Sequence, residues 1–296
     1  MTGTDAERFR DPMGLYRLGY AGPLLETDAV RWEGGAWVEQ HERIVEETPV
    51  AIVYNGIPHV VMMATPTDLE DFALGFSLTE ELIESADDLK HLEIARYSRG
   101  VEIQATVAER CVAAISERTR RLTGRTGCGI CGADSVDAVL KRIHPVERTI
   151  GFGVAAVQRA LESLAANQPL NAASGAVHAA GWAQPDGTVS LIREDVGRHN
   201  ALDKLVGAAT AARVVPSAGF IVVTSRASFE MVQKATVLGA PLLAAISGPT
   251  GLAVRVARQS GLTLVGFARR GRLTVYTHPE RLVGETGVFH PHGRRS

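Results

Sequence analysis

The stretch FIVVTSRASFEMVQKATVLGAPLLAAISGPT, residues 220–250, decides the fold of the larger part of this chain. Two short apolar runs, 220–224 and 242–246, have the length of buried strands, and each precedes a segment with apolar residues at helical spacing, 228–238 and 250–259. Strands over 262–268 and 273–276 follow. This alternation predicts a largely parallel sheet flanked by helices, which binds ligands at the carboxyl ends of its strands.

The residues before this stretch predict further elements of the same α/β domain, which we place over 135–296. Helices are expected over 135–143, 155–166 and 197–211, and strands over 174–183 and 188–193. The turn Pro185-Asp186-Gly187 separates the two strands.

Residues 26–122 predict a small α+β domain built mainly from hairpins. Strand pairs are expected over 30–39, turning on Gly34-Gly35, over 49–54 and 57–64, turning on Asn55-Gly56, and over 91–97 and 101–107, turning on Arg99-Gly100. Thr67 and Glu70 are spaced as a capping box at the start of a helix, and a second helix is expected over 109–122. Residues 1–25 lack periodicity and are predicted to form a flexible tail.

Composition places the chain among ordinary globular proteins. Its 296 residues are 45% hydrophobic, enough for a buried core, and 31 basic residues against 33 acidic ones argue against a general affinity for nucleic acid or an anionic membrane. No apolar run is long enough to span a membrane, and three cysteines do not make a secreted disulfide framework. We therefore expect a cytoplasmic protein with no nucleic-acid or membrane partner.

Two of the cysteines lie in the run TGRTGCGICG, residues 123–132. Its four glycines predict a mobile loop, over 123–134, and Arg125 favours the thiolate forms of Cys128 and Cys131. A thiolate attacks electrophiles, binds metal or carries a transferred sulfur atom. The third cysteine, Cys111, lies on the apolar side of a predicted helix, and we expect it to pack in the core.

Three other classes of protein use such cysteines, and the sequence argues against each. A zinc-dependent deaminase needs a catalytic glutamate close to its histidine ligand, but Ala179-Ala180 follow His178. A structural zinc site needs four ligands and the chain has no second C-x-x-C, so Cys111 with a histidine, or a second copy of the chain, would have to complete it. A thioredoxin-like reductase carries its cysteine pair at a helix start after a strand, whereas the pair in this chain lies in a glycine-rich run that is predicted to be a loop.

Polar residues follow the predicted strands at the edge where a ligand would bind. They are Ser225, Arg226, Ser247, Arg269, Arg270 and Arg272. Three such strand ends together predict a nucleotide or pyrophosphate pocket. Taken singly, Ser228 and Thr250 are more simply helix caps, and an arginine triplet is often a solvated turn. Asp195, Arg198 and His199 are further candidates to shape the pocket, the simpler interpretation being an ordinary helix start.

Four motifs together resemble the formate dehydrogenase accessory sulfurtransferase family. They are GCGICG at 127–132, REDVGRHNALDK at 193–204, TSRASFEMVQK at 224–234 and GFAR at 266–269, and the likeness extends over about residues 48–278. The resemblance implies a cytoplasmic homodimer whose larger domain has a cytidine-deaminase-like three-layer α/β fold. It also implies a sulfurtransferase that accepts sulfur from a cysteine desulfurase as a persulfide and passes it to the molybdenum or tungsten bis-guanine-dinucleotide cofactor of formate dehydrogenase.

By the same resemblance, Cys128 is the persulfide cysteine and Cys131 its partner. The cofactor, a bound substrate, is expected to contact Phe267, Ala268, Arg269, Arg270, Gly271 and Arg272, to which the strand-end argument adds Ser225, Arg226 and Ser247. No permanently bound metal is expected. One departure is the run Ser174-Gly-Ala-Val-His178, where the family pattern leads us to expect Thr-Gly-Gly before the histidine. The alternative function is a non-catalytic molybdenum-cofactor-binding chaperone with a structural or redox C-x-x-C.

Overall fold

The computed structural model describes residues 22–122, 143–147, 151–269, 271–284 and 287–288. Its strands are β1 (Leu24–Glu33), β2 (Ala36–Val45), β3 (Thr48–Tyr54), β4 (Ile57–Ala64), β5 (Leu89–Tyr97), β6 (Gly100–Val107), β7 (Phe152–Gly153), β8 (His178–Ala183), β9 (Val189–Asp195), β10 (Phe220–Val223), β11 (Leu242–Ala245), β12 (Thr263–Arg269), β13 (Arg272–Val275), β14 (Leu282–Gly284) and β15 (Gly287–Val288). Its α-helices are α1 (Leu69–Thr79), α2 (Glu109–Leu122), α3 (Val154–Ala166), α4 (Pro169–Ser174), α5 (Arg198–Ala211), α6 (Phe229–Leu238) and α7 (Gly251–Ser260). Residues 1–21 of the predicted tail, and all but Ile143 of the helix predicted over 135–143, lie outside the described residues.

Hairpins dominate the amino-terminal part, as the sequence predicts. β1 and β2 form an antiparallel ribbon that pairs from Leu24 onward, so the strand begins earlier than the predicted residue 30. β3 to β6 form a four-stranded sheet in the order β4-β3-β6-β5. Asn55 and Gly56 connect β3 to β4 with φ angles of 47° and 79°, the positive values that a tight hairpin turn requires.

The start of α1 differs from the capping box predicted at Thr67 and Glu70. The helix begins at Leu69 after Asp68, which is left-handed with a φ of 52°, and no side chain caps it. Oγ1 of Thr67 is buried without a hydrogen-bond partner in the described part of the chain. A tertiary contact fixes the approach to the helix instead, because the amide of Thr65 donates to Asp195 at 3.0 Å.

The second large sheet has six strands in the order β13-β12-β11-β10-β8-β9. β10, β11 and β12 are parallel to one another, whereas β8, β9 and β13 run antiparallel to their neighbours. The prediction of a largely parallel sheet therefore holds only for the three central strands. For the β8–β9 and β12–β13 pairs the reason is local, since short turns join their strands and such connections produce antiparallel pairs.

The strand predicted over 174–183 is correct only in its second half. Residues Pro169–Ser174 form α4, and β8 starts at His178. Pro169 stands in the first turn of α4, and Gly175 ends the helix with a φ of 67°. Proline at the start and glycine at the end are ordinary helix signals, and the sequence interpretation overlooked them.

Helices cover both faces of the six-stranded sheet. On one face, alternate strand residues such as Trp182, Ile221 and Leu243 pack with α5, α6 and α7 and continue into the core beneath β3 to β6. On the other face, Phe220 and Val222 pack with α3. In the described part of the chain, no helix is long and apolar enough to cross a membrane.

Two glycines bring α1 and α5 into close contact. A Cβ atom on Gly207 of α5 would overlap the carbonyl oxygen of Asp71, and one on Gly75 of α1 would overlap that of Asp203. The backbones of the two helices therefore touch at both positions. This contact joins the four-stranded sheet to the six-stranded one, and it helps to place the residues at the start of α5.

Candidate functional site

The carboxyl ends of β10, β11 and β12 meet at one edge of the six-stranded sheet, as predicted. Val223 lies beside Ala245, and Ala244 beside Val265, so the residues that follow the strands are neighbours. The amide of Phe267 donates to the carbonyl of Ser247 at 3.2 Å, which connects the ends of two strands directly. The structure thus brings Ser225, Arg226, Ser247 and Phe267 to one edge.

Phe267 presents an aromatic ring at this edge. Its backbone is left-handed, with a φ of 49°, and its side chain is 45% exposed. The ring lies against Gly248, where an added Cβ would be 2.6 Å from the ring. A β-bulge between Gly266 and Arg269 interrupts the pairing of β12 with β13 at this segment.

Arg269 and Arg272 are paired residues at the end of the β12–β13 hairpin, and both side chains are exposed. Gly271, with a φ of 71°, makes the turn between them. Gln158 of α3 supports this turn, because its side-chain oxygen accepts from the amides of Gly271 and Arg272 at 3.2 and 3.3 Å. The predicted contact Arg270 lies outside the described residues.

The other residues predicted to contact the cofactor differ in how exposed their side chains are. Arg226 is exposed, whereas Ser225 is buried and its hydroxyl donates to the carbonyl of Arg226 at 3.0 Å. Ala268 is only 1% exposed and belongs to the apolar core on the α3 side, so its side chain is remote from a ligand at the edge.

The helix starts at this edge are capped differently from one another. Oγ1 of Thr250 accepts from the amide of Ala253 at 3.3 Å, so the predicted cap of α7 is confirmed. Ser228 occupies the N-cap position of α6, but its side chain makes no capping bond. The Ser228 hydroxyl lies instead 3.4 Å from Nε2 of His199.

A second polar group occupies the same edge beyond β10. His178 begins β8 and pairs with Asp195 at the end of β9, so Arg198 and His199 at the start of α5 lie nearby. Nε2 of His199 is 2.9 Å from the Glu230 carboxylate. Burial lowers the pKa of His178, and the positive charge of Arg198 lowers it further, so this imidazole is neutral at pH 7.

Sequence reasoning missed His178 and Glu230 as members of this group. Their signal was present, because His178 stands where the family pattern leads us to expect a histidine and Glu230 lies inside the quoted motif at 224–234. Ala176, the departure from the expected pattern, is exposed, so its methyl group faces solvent.

The motif at 193–204 also contains residues that support the site rather than face it. Asp195 is fully buried and pairs with Lys204 at 2.7 Å. Its carboxylate also accepts from the amides of Thr65 and Gly197, at 3.0 and 2.8 Å, and from the side chain of Asn200 at 3.1 Å. Asp195, predicted as a shaper of the pocket, therefore holds the start of α5 in place.

A second buried ion pair supports the middle of α5. Nζ of Lys234 lies 2.8 Å from Oδ1 of Asp203, which also accepts from the hydroxyl of Thr79 at 2.6 Å. Burial alone would lower the pKa of Lys234, but the Asp203 and Glu80 carboxylates outweigh it and raise this pKa above its usual range. The lysines of the motifs at 193–204 and 224–234 are thus structural cations.

The predicted persulfide residues Cys128 and Cys131 lie outside the described residues. Cys111 is 7% exposed and packs beside Ile115 in the core, as expected. Burial raises the pKa of its thiol, which disfavours the thiolate. No cluster of three or more histidine, cysteine or acidic side chains among the described residues is arranged to hold a metal ion.

A cleft of about 700 Å³ lies at the opposite, amino-terminal ends of the strands. Its lining mixes apolar side chains such as Leu78, Val206 and Leu238 with polar ones, and the Glu81 carboxylate lies 2.7 Å from Nε2 of His144 at its side. The strand-end edge carries the exposed aromatic ring of Phe267 and the exposed arginines. We therefore take the strand-end edge as the candidate site.

Comparison with known proteins gives a consistent result. Residues 45–283 match the model of the FdhD/NarQ family. A sulfur carrier protein FdhD from Xanthomonas oryzae pv. oryzae is 51% identical over 272 residues, covering 90% of this chain and 96% of the relative. One of the same name from Bordetella bronchiseptica is 48% identical, covering 87% and 94%.

A solved structure agrees with these sequence matches. The crystal structure of a protein described as a formate dehydrogenase accessory protein, from Desulfotalea psychrophila, has a TM-score of 0.71 and 26% identity, and covers 88% of this chain and 100% of its own. The family match at 45–283 covers the four-stranded and six-stranded sheets, the strand-end edge and the four motifs. The chain belongs to the FdhD/NarQ family.

Proposed function

We propose that this protein is a sulfur carrier required for formate dehydrogenase activity. It accepts sulfur from a cysteine desulfurase on Cys128 and transfers that sulfur to a molybdenum or tungsten bis-guanine-dinucleotide cofactor before the cofactor enters formate dehydrogenase. The names of the relatives support the carrier role. The single observation that carries the cofactor part is the strand-end edge, where hydroxyls, arginines and an exposed aromatic ring converge.

The loading step needs no external oxidant. The Cys128 thiolate attacks the terminal sulfur of the desulfurase persulfide, a new S–S bond forms, and the desulfurase cysteine leaves as a thiolate. One S–S bond replaces another, so the electrons balance. A glycine-rich segment around the cysteine suits a group that must first meet a partner and then reach a pocket.

The acceptor is a large anionic substrate with guanine ends and phosphates, and the edge offers a partner for each. The exposed ring of Phe267 provides a stacking surface for a guanine base. Arg269 and Arg272 provide fork-shaped donors for phosphate oxygens, and Arg226 and Ser247 stand at the neighbouring strand ends. Because its side chain is buried, Ala268 contributes only backbone groups to this proposed pocket.

The finer architecture is part of the same proposal. We propose a small α+β domain over 26–122, a carrier loop over 123–134 and a cytidine-deaminase-like domain over 135–296, assembled as a cytoplasmic homodimer. Helices on both faces of the six-stranded sheet support a three-layer arrangement for the larger domain. The cofactor is cargo, and the protein needs no resident metal for the transfer.

Intact-mass measurement tests the carrier role. After incubation with a cysteine desulfurase and cysteine, the protein should gain one reducible sulfur atom. Cys128→Ala should abolish the gain and formate dehydrogenase maturation, while Cys111→Ala, the buried control, should retain both. Full maturation activity with Cys128→Ala would refute the carrier role and favour the cofactor-binding chaperone. Loss of a cooperative melt in that variant would favour a structural zinc site.

Guanosine diphosphate binding tests the pocket. The ligand should raise the melting temperature, because a ligand that binds the native state stabilises it by mass action, and adenosine diphosphate should do so less. The double variant Arg269→Ala/Arg272→Ala should lose most of the shift yet still load sulfur. Arg258→Ala, an exposed arginine in the last turn of α7, is the matched control. Unchanged affinity in the double variant would exclude these arginines as phosphate contacts.

A further inference from the structure

The chain segment that carries the C-x-x-C pair starts and ends beside the same two residues. At its start, Nη1 of Arg118 in α2 donates to the carbonyl of Glu80 at 2.6 Å, and Nη2 lies 2.9 Å from the Glu80 carboxylate. At its end, Nε2 of His144 lies 2.7 Å from the Glu81 carboxylate. Glu80 and Glu81 follow directly after α1, so two adjacent carboxylates contact both ends of the segment.

The contact with Glu80 ties the end of α2 to the helix that starts at the candidate site. Oε1 of Glu80 lies 3.2 Å from Nζ of Lys234, a buried residue of α6. The next residue of α2, Thr119, is also held, because its hydroxyl lies 2.7 Å from Nδ1 of His59. Since α6 begins at the strand-end edge, Glu80 connects the helix that leads into the cysteine segment with the edge proposed to bind the cofactor.

Glu81 occupies a backbone position that is unfavourable for a glutamate. Its φ is 55°, in the left-handed region. The amide of Leu82 donates to the carbonyl of Ser77, and the amide of Glu81 makes the adjoining bond, so α1 ends in a Schellman motif. Glycine is usual at this position because a Cβ atom is strained there. The glutamate keeps a carboxylate that glycine lacks, and that carboxylate contacts His144.

The position of the end of α2 limits where the sulfur can go. Cys128 comes six residues after Leu122, the last residue of α2. An extended chain spans at most about 3.5 Å per residue, so Cys128 stays within about 20 Å of the end of that helix. A tethered group reacts at an effective concentration set by the volume that its tether allows. A fixed end of α2 therefore confines the sulfur to a smaller volume than a loose end would.

We propose that Glu80 and Glu81 are positioning residues for sulfur transfer, because they hold both ends of the segment that carries Cys128 and keep its persulfide in range of the cofactor. The carrier role of Cys128 in this proposal rests on the proposed function. Loading should not need the two contacts, since the desulfurase is a free partner that diffuses to the cysteine. Delivery should need them, since the cofactor waits at a fixed edge of the protein.

Single-turnover kinetics separate loading from delivery. Arg118→Met removes the contact with Glu80, and Glu81→Gly removes the contact with His144. The double variant should gain one sulfur from the desulfurase as the natural chain does. Mixed with cofactor and immature formate dehydrogenase, the loaded double variant should activate that enzyme more slowly, by about fivefold or more. Arg110→Met is the matched control, because Arg110 pairs with Asp88 at 2.6 Å in the first turn of the same helix, and it should deliver at the natural rate.

The melting temperature distinguishes positioning from a purely structural role. Glu81→Gly alone should melt at the same temperature as the natural chain or higher, because glycine removes the strain of the left-handed position. It should nevertheless deliver sulfur more slowly. A structural role for Glu81 requires the opposite pair of results, a lower melting temperature with natural delivery by the folded protein.

Electron paramagnetic resonance measures the positioning without any sulfur chemistry. Nitroxide labels are placed on Cys128 and on Arg258→Cys, an exposed position in the last turn of α7, in a Cys111→Ala/Cys131→Ala background. The distribution of distances between the labels should broaden in the Arg118→Met/Glu81→Gly double variant. The Arg110→Met control should leave it unchanged.

Three results would overturn the positioning role. They are a natural rate of delivery by the double variant, an unchanged distance distribution, or a loading defect as large as the delivery defect. If the natural chain gains no sulfur on Cys128 while the distance distribution still broadens, the two contacts do hold the segment and the proposed function fails instead.

Discussion

The ammonium of Lys204 lies 2.7 Å from the carboxylate of Asp195, and neither side chain is exposed to solvent. Lys204 also donates to the carbonyl of Thr65 at 2.8 Å. Thr65 follows β4 and Asp195 ends β9, so the pair ties the four-stranded sheet to the six-stranded one at the base of the candidate site. This arrangement explains why Lys204, five residues beyond His199 on α5, has no part of its side chain at the surface.

Removing the cation of this pair should be costly. Lys204→Met leaves Asp195 charged and buried without its counter-ion, and we expect a loss of about 3 kcal/mol in the free energy of unfolding. Urea denaturation monitored by circular dichroism measures it. Arg31→Met, which breaks the exposed Arg31–Glu42 pair, should change stability by less than about 1 kcal/mol. Equal effects in the two variants would contradict a structural role for the buried pair.

The contact between α1 and α5 should not tolerate a methyl group at Gly207. In Gly207→Ala the new Cβ meets the carbonyl of Asp71, and backbone cannot move aside as a side-chain end can. We expect a loss of about 3 kcal/mol in stability. Gly251→Ala in α7 is the matched control, since only the flexible end of Arg255 lies near that position. A Gly207→Ala variant as stable as the control would mean that the helices can separate without penalty.

His59 should make stability depend on pH between about 4 and 6.5. Burial, with help from the Arg118 guanidinium, lowers the pKa of His59 from 6.5 to about 4. The unfolded chain therefore takes up a proton over this range while the folded chain does not. Stability is complete above pH 6.5 and falls as the pH drops toward 4.

Urea titrations at pH 7.5 and 5.0 check the His59 effect. Between pH 7.5 and pH 5.0, the free energy of unfolding should fall by about 2 kcal/mol less in His59→Gln than in the natural chain. His91→Gln, which changes an exposed histidine on β5, should behave like the natural chain. If His59→Gln shows the same pH dependence as the natural chain, His59 is protonated in the folded protein.

Cys111 should resist alkylation in the folded protein. It is 7% exposed, and burial raises the pKa of its thiol. Iodoacetamide at pH 7.5 should label it only after unfolding in guanidinium chloride, as followed by peptide mass spectrometry. Rapid labelling of Cys111 in the folded protein would mean that its helix opens readily, and it would also weaken the use of Cys111 as a buried control in the sulfur-loading experiment.

Local sequence determined the elements and the order in which they occur. Asn55-Gly56 requires positive φ angles and thus a hairpin, and short apolar runs such as 220–224 identify buried strands. Thr250 caps α7 as its type and position predict. The sequence also placed Ser225 and Ser247 just beyond two predicted strands and Phe267 near the end of a third, and the motif at 193–204 pointed to Arg198 and His199. These features depend on residues within a few positions of one another, so they can be inferred from local patterns.

Only the tertiary structure decided which of these residues face the candidate site and which are buried groups that support it. Asp195 looks like a site residue in sequence, yet it is buried and paired with Lys204, and it accepts from the amide of Thr65, 130 residues away. Ser228 looks like a cap, but its hydroxyl lies beside His199 on another helix. Each outcome depends on burial and on partners far along the chain, and neither can be inferred from local spacing.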